Sequence, residues 1–103
     1  MKDDEFRAWL QSISMNPKPL KDCISRCRKV EKALATDLDK AYKKDGGKAV
    51  IKALTYTPSD EKSNKPIPEG FNFKPGANIR FRFTDLRSAT NKYFAFRKAM
   101  DEK

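Results

Sequence analysis

The sequence predicts a single all-α domain: a compact bundle of about four to five helices, with one long proline-rich loop and at most a short extended segment before the last helix. Three observations carry this expectation. Apolar residues recur at three- and four-residue spacing through most of the chain, stop signals separate those runs, and the one alternating run, near residue 80, lacks a partner. At 103 residues there is room for one core, so residues 1–103 are read as one domain.

The first helix is read over residues 3–14. Asp3, Asp4 and Glu5 suit the positive end of a helix, and Phe6, Trp9, Leu10 and Ile13 then fall on one face. Asn16-Pro17-Lys18-Pro19 breaks that run, and its prolines are compatible with the first turn of a second helix reaching about Leu34. Leu20, Cys23, Ile24, Cys27, Val30 and Leu34 form its apolar stripe.

Thr36 with Asp39 resembles a capping box and introduces a short helix through Leu38, Ala41 and Tyr42, which Asp45-Gly46-Gly47 ends. Val50, Ile51 and Leu54 space a fourth helix from Lys48, closing before Thr57-Pro58. Residues 57–78 hold four prolines and two glycines and read as a long surface loop, pinned to the core by Ile67, Phe71 and Phe73. Ile79, Phe81 and Phe83 alternate with Arg80 and Arg82 in the period of a strand, so this stretch is read as extended. Thr84 or Asp85 then caps a last helix with the seam Leu86, Ala89, Tyr93, Phe96 and Met100.

Composition narrows the function classes. With 38% apolar and 11% aromatic residues the chain can fold, and 23 Lys and Arg against 14 Asp and Glu leave a charge of +9 that attracts polyanions. Nucleic acid, an anionic membrane and an acidic protein surface would all respond to it. No stretch approaches the roughly 20 apolar residues of a membrane span, and the acidic start is unlike a signal peptide, so a cytoplasmic protein is expected. Cys23 and Cys27, four apart on one helix face, are read as reduced core thiols.

Catalysis is argued against by residue types. There is no His, which removes the usual general base and the commonest metal ligand. Two cysteines alone do not make a zinc site, Asp37, Asp39 and Asp45 lack the order of a calcium loop, and Gly46-Gly47-Lys48 lacks the frame of a phosphate loop. The expectation is a binding protein without enzyme activity, cofactor or metal.

Three constellations could make contacts with nucleic acid. Lys21, Arg28 and Lys32 fall along one line of the second helix, with Lys29 nearby, and such a ridge can follow phosphates or be a plain solvated face. Arg87, Asn91, Phe94 and Lys98 share a line of the last helix, where cations could hold phosphate, Asn91 could pair with adenine and Phe94 could stack on a base. Alternatively Phe94 widens the core face. In Arg80-Phe81-Arg82-Phe83 the arginines could contact phosphate and the rings either stack or pack.

Three short stretches carry a resemblance: Phe6-Arg7-Ala8-Trp9-Leu10, then Asp37-Leu38-Asp39-Lys40-Ala41-Tyr42-Lys43-Lys44-Asp45-Gly46 leading to Leu54-Thr55-Tyr56-Thr57, then Asp85-Leu86-Arg87-Ser88-Ala89-Thr90-Asn91-Lys92-Tyr93. Together they resemble the small helical N-terminal domains of some bacterial restriction-type endonucleases and, more loosely, the core-binding domain of tyrosine recombinases. Neither family's catalytic residues are present. The resemblance therefore implies a DNA-associated accessory or recognition module, encoded alone or within a longer protein, by a phage or mobile element. DNA is expected before RNA. The alternative is a small inhibitor or interaction protein docking on an acidic surface of a nucleic-acid-handling complex.

Overall fold

A computed structural model describes residues 1–64, 66, 67, 70, 71 and 78–102. Six helices occur among them and no strand: α1 (Asp3–Ser12), α2 (Pro17–Leu34), α3 (Leu38–Asp45), α4 (Lys48–Ala53), α5 (Pro58–Lys62) and α6 (Ile79–Asp101). The all-α expectation holds.

The local causes are mostly those the sequence offers, with four corrections. Asp37, not Thr36, caps α3, its Oδ1 accepting from the backbone N–H of Asp39 at 2.8 Å and of Lys40 at 3.4 Å. The capping box belongs instead to α5, where Thr57 Oγ1 accepts from the Asp60 N–H and Asp60 Oδ2 accepts from the Thr57 N–H. That helix lies inside the stretch expected to be loop. Within it Phe71 is buried and Ile67 packs on the core as expected, while Phe73 lies outside the described residues.

The third and fourth corrections concern the last helix. The alternating segment is not extended: α6 starts at Ile79, and Asn78 caps it by accepting from the Phe81 N–H at 3.2 Å, so neither Thr84 nor Asp85 is the cap. A lone strand would leave both rows of backbone groups without a ladder partner, whereas extending a helix already formed adds a hydrogen bond for each residue fixed. One consequence is decisive for the side chains. Neighbours two apart share a face in a strand but stand about 200° apart on a helix, so Phe81 and Phe83 part company, as do Arg80 and Arg82.

Helix α6 is the spine of the fold and contacts each of the other five. Phe6 and Trp9 of α1 meet Tyr93 and Phe96 in an aromatic cluster, with Phe6 edge-on to Tyr93 at 4.9 Å. Cys23 and Cys27 of α2 are buried free thiols directed at the Ala89 carbonyl, at 3.8 and 3.3 Å, where a small residue lets α2 approach α6 closely. Phe83 packs between Tyr56 and Phe71, at 5.7 and 5.2 Å. Gly46 and Gly47 both have positive φ, and a Cβ on Gly47 would lie 2.3 Å from the Phe94 ring. The glycine pair therefore stops α3, starts α4 and admits Phe94, which accounts for it without any phosphate.

The shortest dimension of the molecule is 21 Å, about two helix diameters. A spine in so thin a body cannot be covered all round. One face of α6 stays open.

Candidate nucleic-acid interface

At 100° per residue, Phe83, Leu86, Thr90, Tyr93, Phe96 and Arg97 fill one side of α6, and all six are buried. The opposite side carries Thr84, Ser88, Asn91 and Ala95 along its middle, all exposed and none bulky. Arg80, Arg87 and Lys98 run along one edge of that strip, while Lys92 stands on the other.

Neighbouring helices complete the surface. On one side a hollow of about 490 Å³ lies between α6 and α4, lined by Lys48, Lys52, Asn91 and the edge of Phe94. On the other, a smaller hollow of about 150 Å³ between α6 and α2 is lined by Arg26, Cys23, Asp85 and Lys92. A shallow groove of about 410 Å³ over Thr84, Ser88 and Asn91 joins the two. The result is a track of small side chains between cationic borders.

The borders are tied to the fold. Arg87 donates from Nη1 to the Leu54 carbonyl at 3.4 Å, at the C-terminal end of α4, where a cation also suits the helix dipole. Arg80 Nε lies 3.8 Å from Glu61 Oε2 of α5. Asp45 accepts from the Gly47 and Ala49 N–H groups at 2.9 and 3.0 Å and so fixes the start of α4, from which Lys48 and Lys52 project one turn apart. Hydrogen bonding with Cys27 holds the Cys23 thiol below its ordinary value against the opposing effect of burial, with Lys92 and Arg26 adding to the lowering.

The expected site residues are thus divided among surfaces. Arg80, Arg87, Asn91 and Lys98 share the open face of α6. Phe94 does not join them: it is 7% exposed, its ring stacked 6.3 Å from Tyr42 and seated on Gly47, so it is core and cannot take a base. Arg82 is exposed but on the side of α6 opposite the open strip, because the segment is helical. Lys21, Arg28, Lys29 and Lys32 are all exposed on α2, yet Lys21 and Arg28 face α1, lining a depression with Arg7, and Arg28 is ion-paired with Asp3. That ridge is a separate surface.

Lys52, Lys92 and Arg26 belong to none of the three constellations of the sequence, and Lys48 figures only beside the glycine pair and at the start of the fourth helix. Lys48 and Lys52 sit four apart on α4, which was a legible signal. That they border α6 was not. The carboxylates also divide, since Asp37 and Asp45 are caps while half-buried Asp39 accepts from the Tyr93 hydroxyl at 2.5 Å and lies 3.5 Å from the Met1 ammonium and 3.3 Å from Arg97 Nε. This polar cluster ties the residue ahead of α1 to α3 and α6.

Compared with protein-family models, curated proteins and solved structures, the chain matches none.

Proposed function

We propose that this chain is a non-enzymatic nucleic-acid-binding module, of the accessory or recognition kind found beside DNA-processing activities in restriction or mobile-element systems, and that the open face of α6 is its contact surface. The single observation that carries this is the cation-bordered track of small side chains, with Arg87, Lys48 and Lys52 on one border and Lys92 and Arg26 on the other. Small residues let a sugar-phosphate chain approach closely, and cations on both sides neutralise it. Asn91 lies within the track, where its amide could read a base edge. The resemblance to restriction-type domains adds less, because Phe6, Leu10, Leu38, Leu54, Leu86 and Tyr93 of those motifs are all core residues.

The test is anisotropy of labelled DNA titrated with protein at about 50 and about 200 mM salt. Binding should weaken by orders of magnitude across that range, and Lys48→Glu/Lys52→Glu should reduce the slope of log affinity against log salt by about 2. Absence of binding at the lower salt overturns the proposal.

A second reading, an interaction or inhibitor protein that docks on an acidic protein surface, draws support from a hollow of about 560 Å³ between α1 and α6. It is lined by Trp9, Phe96 and Met100, with Glu5 and Ser12 at its rim, an apolar surface of the kind found at the centre of a protein interface, from which the cations that would meet an acidic partner lie apart.

A further inference from the structure

Phe81 is 61% exposed, and with Ile13 it is one of two large apolar side chains among the described residues that face solvent. An aromatic ring left largely in water gains little for the fold. Its position is not random: on α6 it stands within about 40° of Ser88 and Ala95, at the N-terminal end of the same open strip, roughly 10 Å along the axis from Ser88. The Arg80 guanidinium lies over the ring, 5.7 Å from its centroid, and is itself held toward Glu61 of α5. That contact limits the ring's freedom and stacks a cation on it. Asp85 lines the α2 side with Arg26 and Lys92, and Glu61 sits beside Arg80 on the other, so each edge keeps one cation in excess at this end.

Resting on the nucleic-acid reading above, we propose that Phe81 is a stacking platform for an unpaired base, and that the protein therefore takes single-stranded in preference to duplex nucleic acid. Bases inside a duplex are stacked on one another and cannot lie flat on a ring at the edge of a protein groove. A single strand can place its phosphates along Arg80 and Arg87 while one base turns onto Phe81. From Phe81 to Lys98 the strip runs about 26 Å, enough for a few nucleotides. Unpaired DNA and unpaired RNA share this chemistry.

The experiment uses the full chain, a labelled oligothymidine and an oligouridine strand of about 15 nucleotides, and a duplex of equal length at about 50 mM salt. Wild type should bind a single strand more tightly than the duplex. Phe81→Ala should lose about tenfold on the single strand and less than about twofold on the duplex, while Phe81→Tyr keeps the single-strand affinity. Circular dichroism of Phe81→Ala should match wild type, since the ring is outside the core. The ratio of the two single strands tells DNA from RNA. Unchanged single-strand binding by Phe81→Ala, equal losses on strand and duplex, or a wild-type preference for duplex would each overturn the platform and leave the nucleic-acid reading standing. Wild type binding none of the three probes overturns both.

Discussion

Burial pushes the Tyr93 phenol above the ordinary tyrosine range, and its hydrogen bond to the Asp39 carboxylate pushes the same way. A phenol whose folded pKa is raised contributes stability that is complete below about pH 10 and is lost as pH rises toward the folded value. Tyr93→Phe should therefore flatten the alkaline fall in urea midpoint above about pH 10. At neutral pH the same variant should cost about 1–3 kcal/mol, since it strips a donor from Asp39 and an acceptor from the Lys2 N–H. A variant with the wild-type alkaline profile would refute this role. Gly47 offers a second residue-scale test. At φ +87° with the Phe94 ring against the site of any Cβ, Gly47→Ala should destabilise by at least about 1 kcal/mol, while a matched change at an exposed position such as Ser25→Ala should fall within about 0.5 kcal/mol.

At the scale of the element, the first turns of α6 separate two readings of one pentapeptide. Ile79-Arg80-Phe81-Arg82-Phe83 alternates as a strand would, and only the helix places Phe83 at 1% exposure with Phe81 in solvent. Phe83→Ala should cost about 3–5 kcal/mol in unfolding free energy by opening a cavity against Tyr56 and Phe71, whereas Phe81→Ala should cost less than about 0.5 kcal/mol. Equal costs would mean that both rings share a face. Asn78→Ala, which removes the cap, should lower stability by about 1 kcal/mol and speed amide exchange at Phe81.

At the scale of the whole molecule, the basic ridge of α2 and the cation-bordered track of α6 face different ways. The α2 ridge runs beside α1, where Asp3 already engages Arg28, while the track on α6 gathers cations from three helices. Lys48→Glu/Lys52→Glu should therefore weaken nucleic-acid binding more than Lys21→Glu/Lys32→Glu, although both remove the same net charge. Long-range attraction alone would make the two losses equal. Among the described residues no helix is long and apolar enough to cross a membrane.

The sequence by itself determined the helical class, five of the six helices and nearly all of the core, because an apolar stripe at period 3.6 and its caps are local properties of the chain. Leu20, Cys23, Ile24, Cys27 and Val30, or Leu86, Ala89, Tyr93 and Phe96, are buried as their spacing demands. Alternation misled at residues 79–83, where too few residues stand to distinguish two periods and the rest of α6 supplies the nucleus. Which rings are buried and which cations share a surface was decided only by tertiary structure. Of the alternatives open to the two rings, Phe94 takes the core because Gly47 opens a seat for it, and Phe81 faces solvent because the start of α6 turns it outward. Lys48, Lys52, Lys92 and Arg26 become neighbours because α4 and α2 pack on either side of α6, and proximity between helices distant in sequence is fixed by how their apolar faces close on one another.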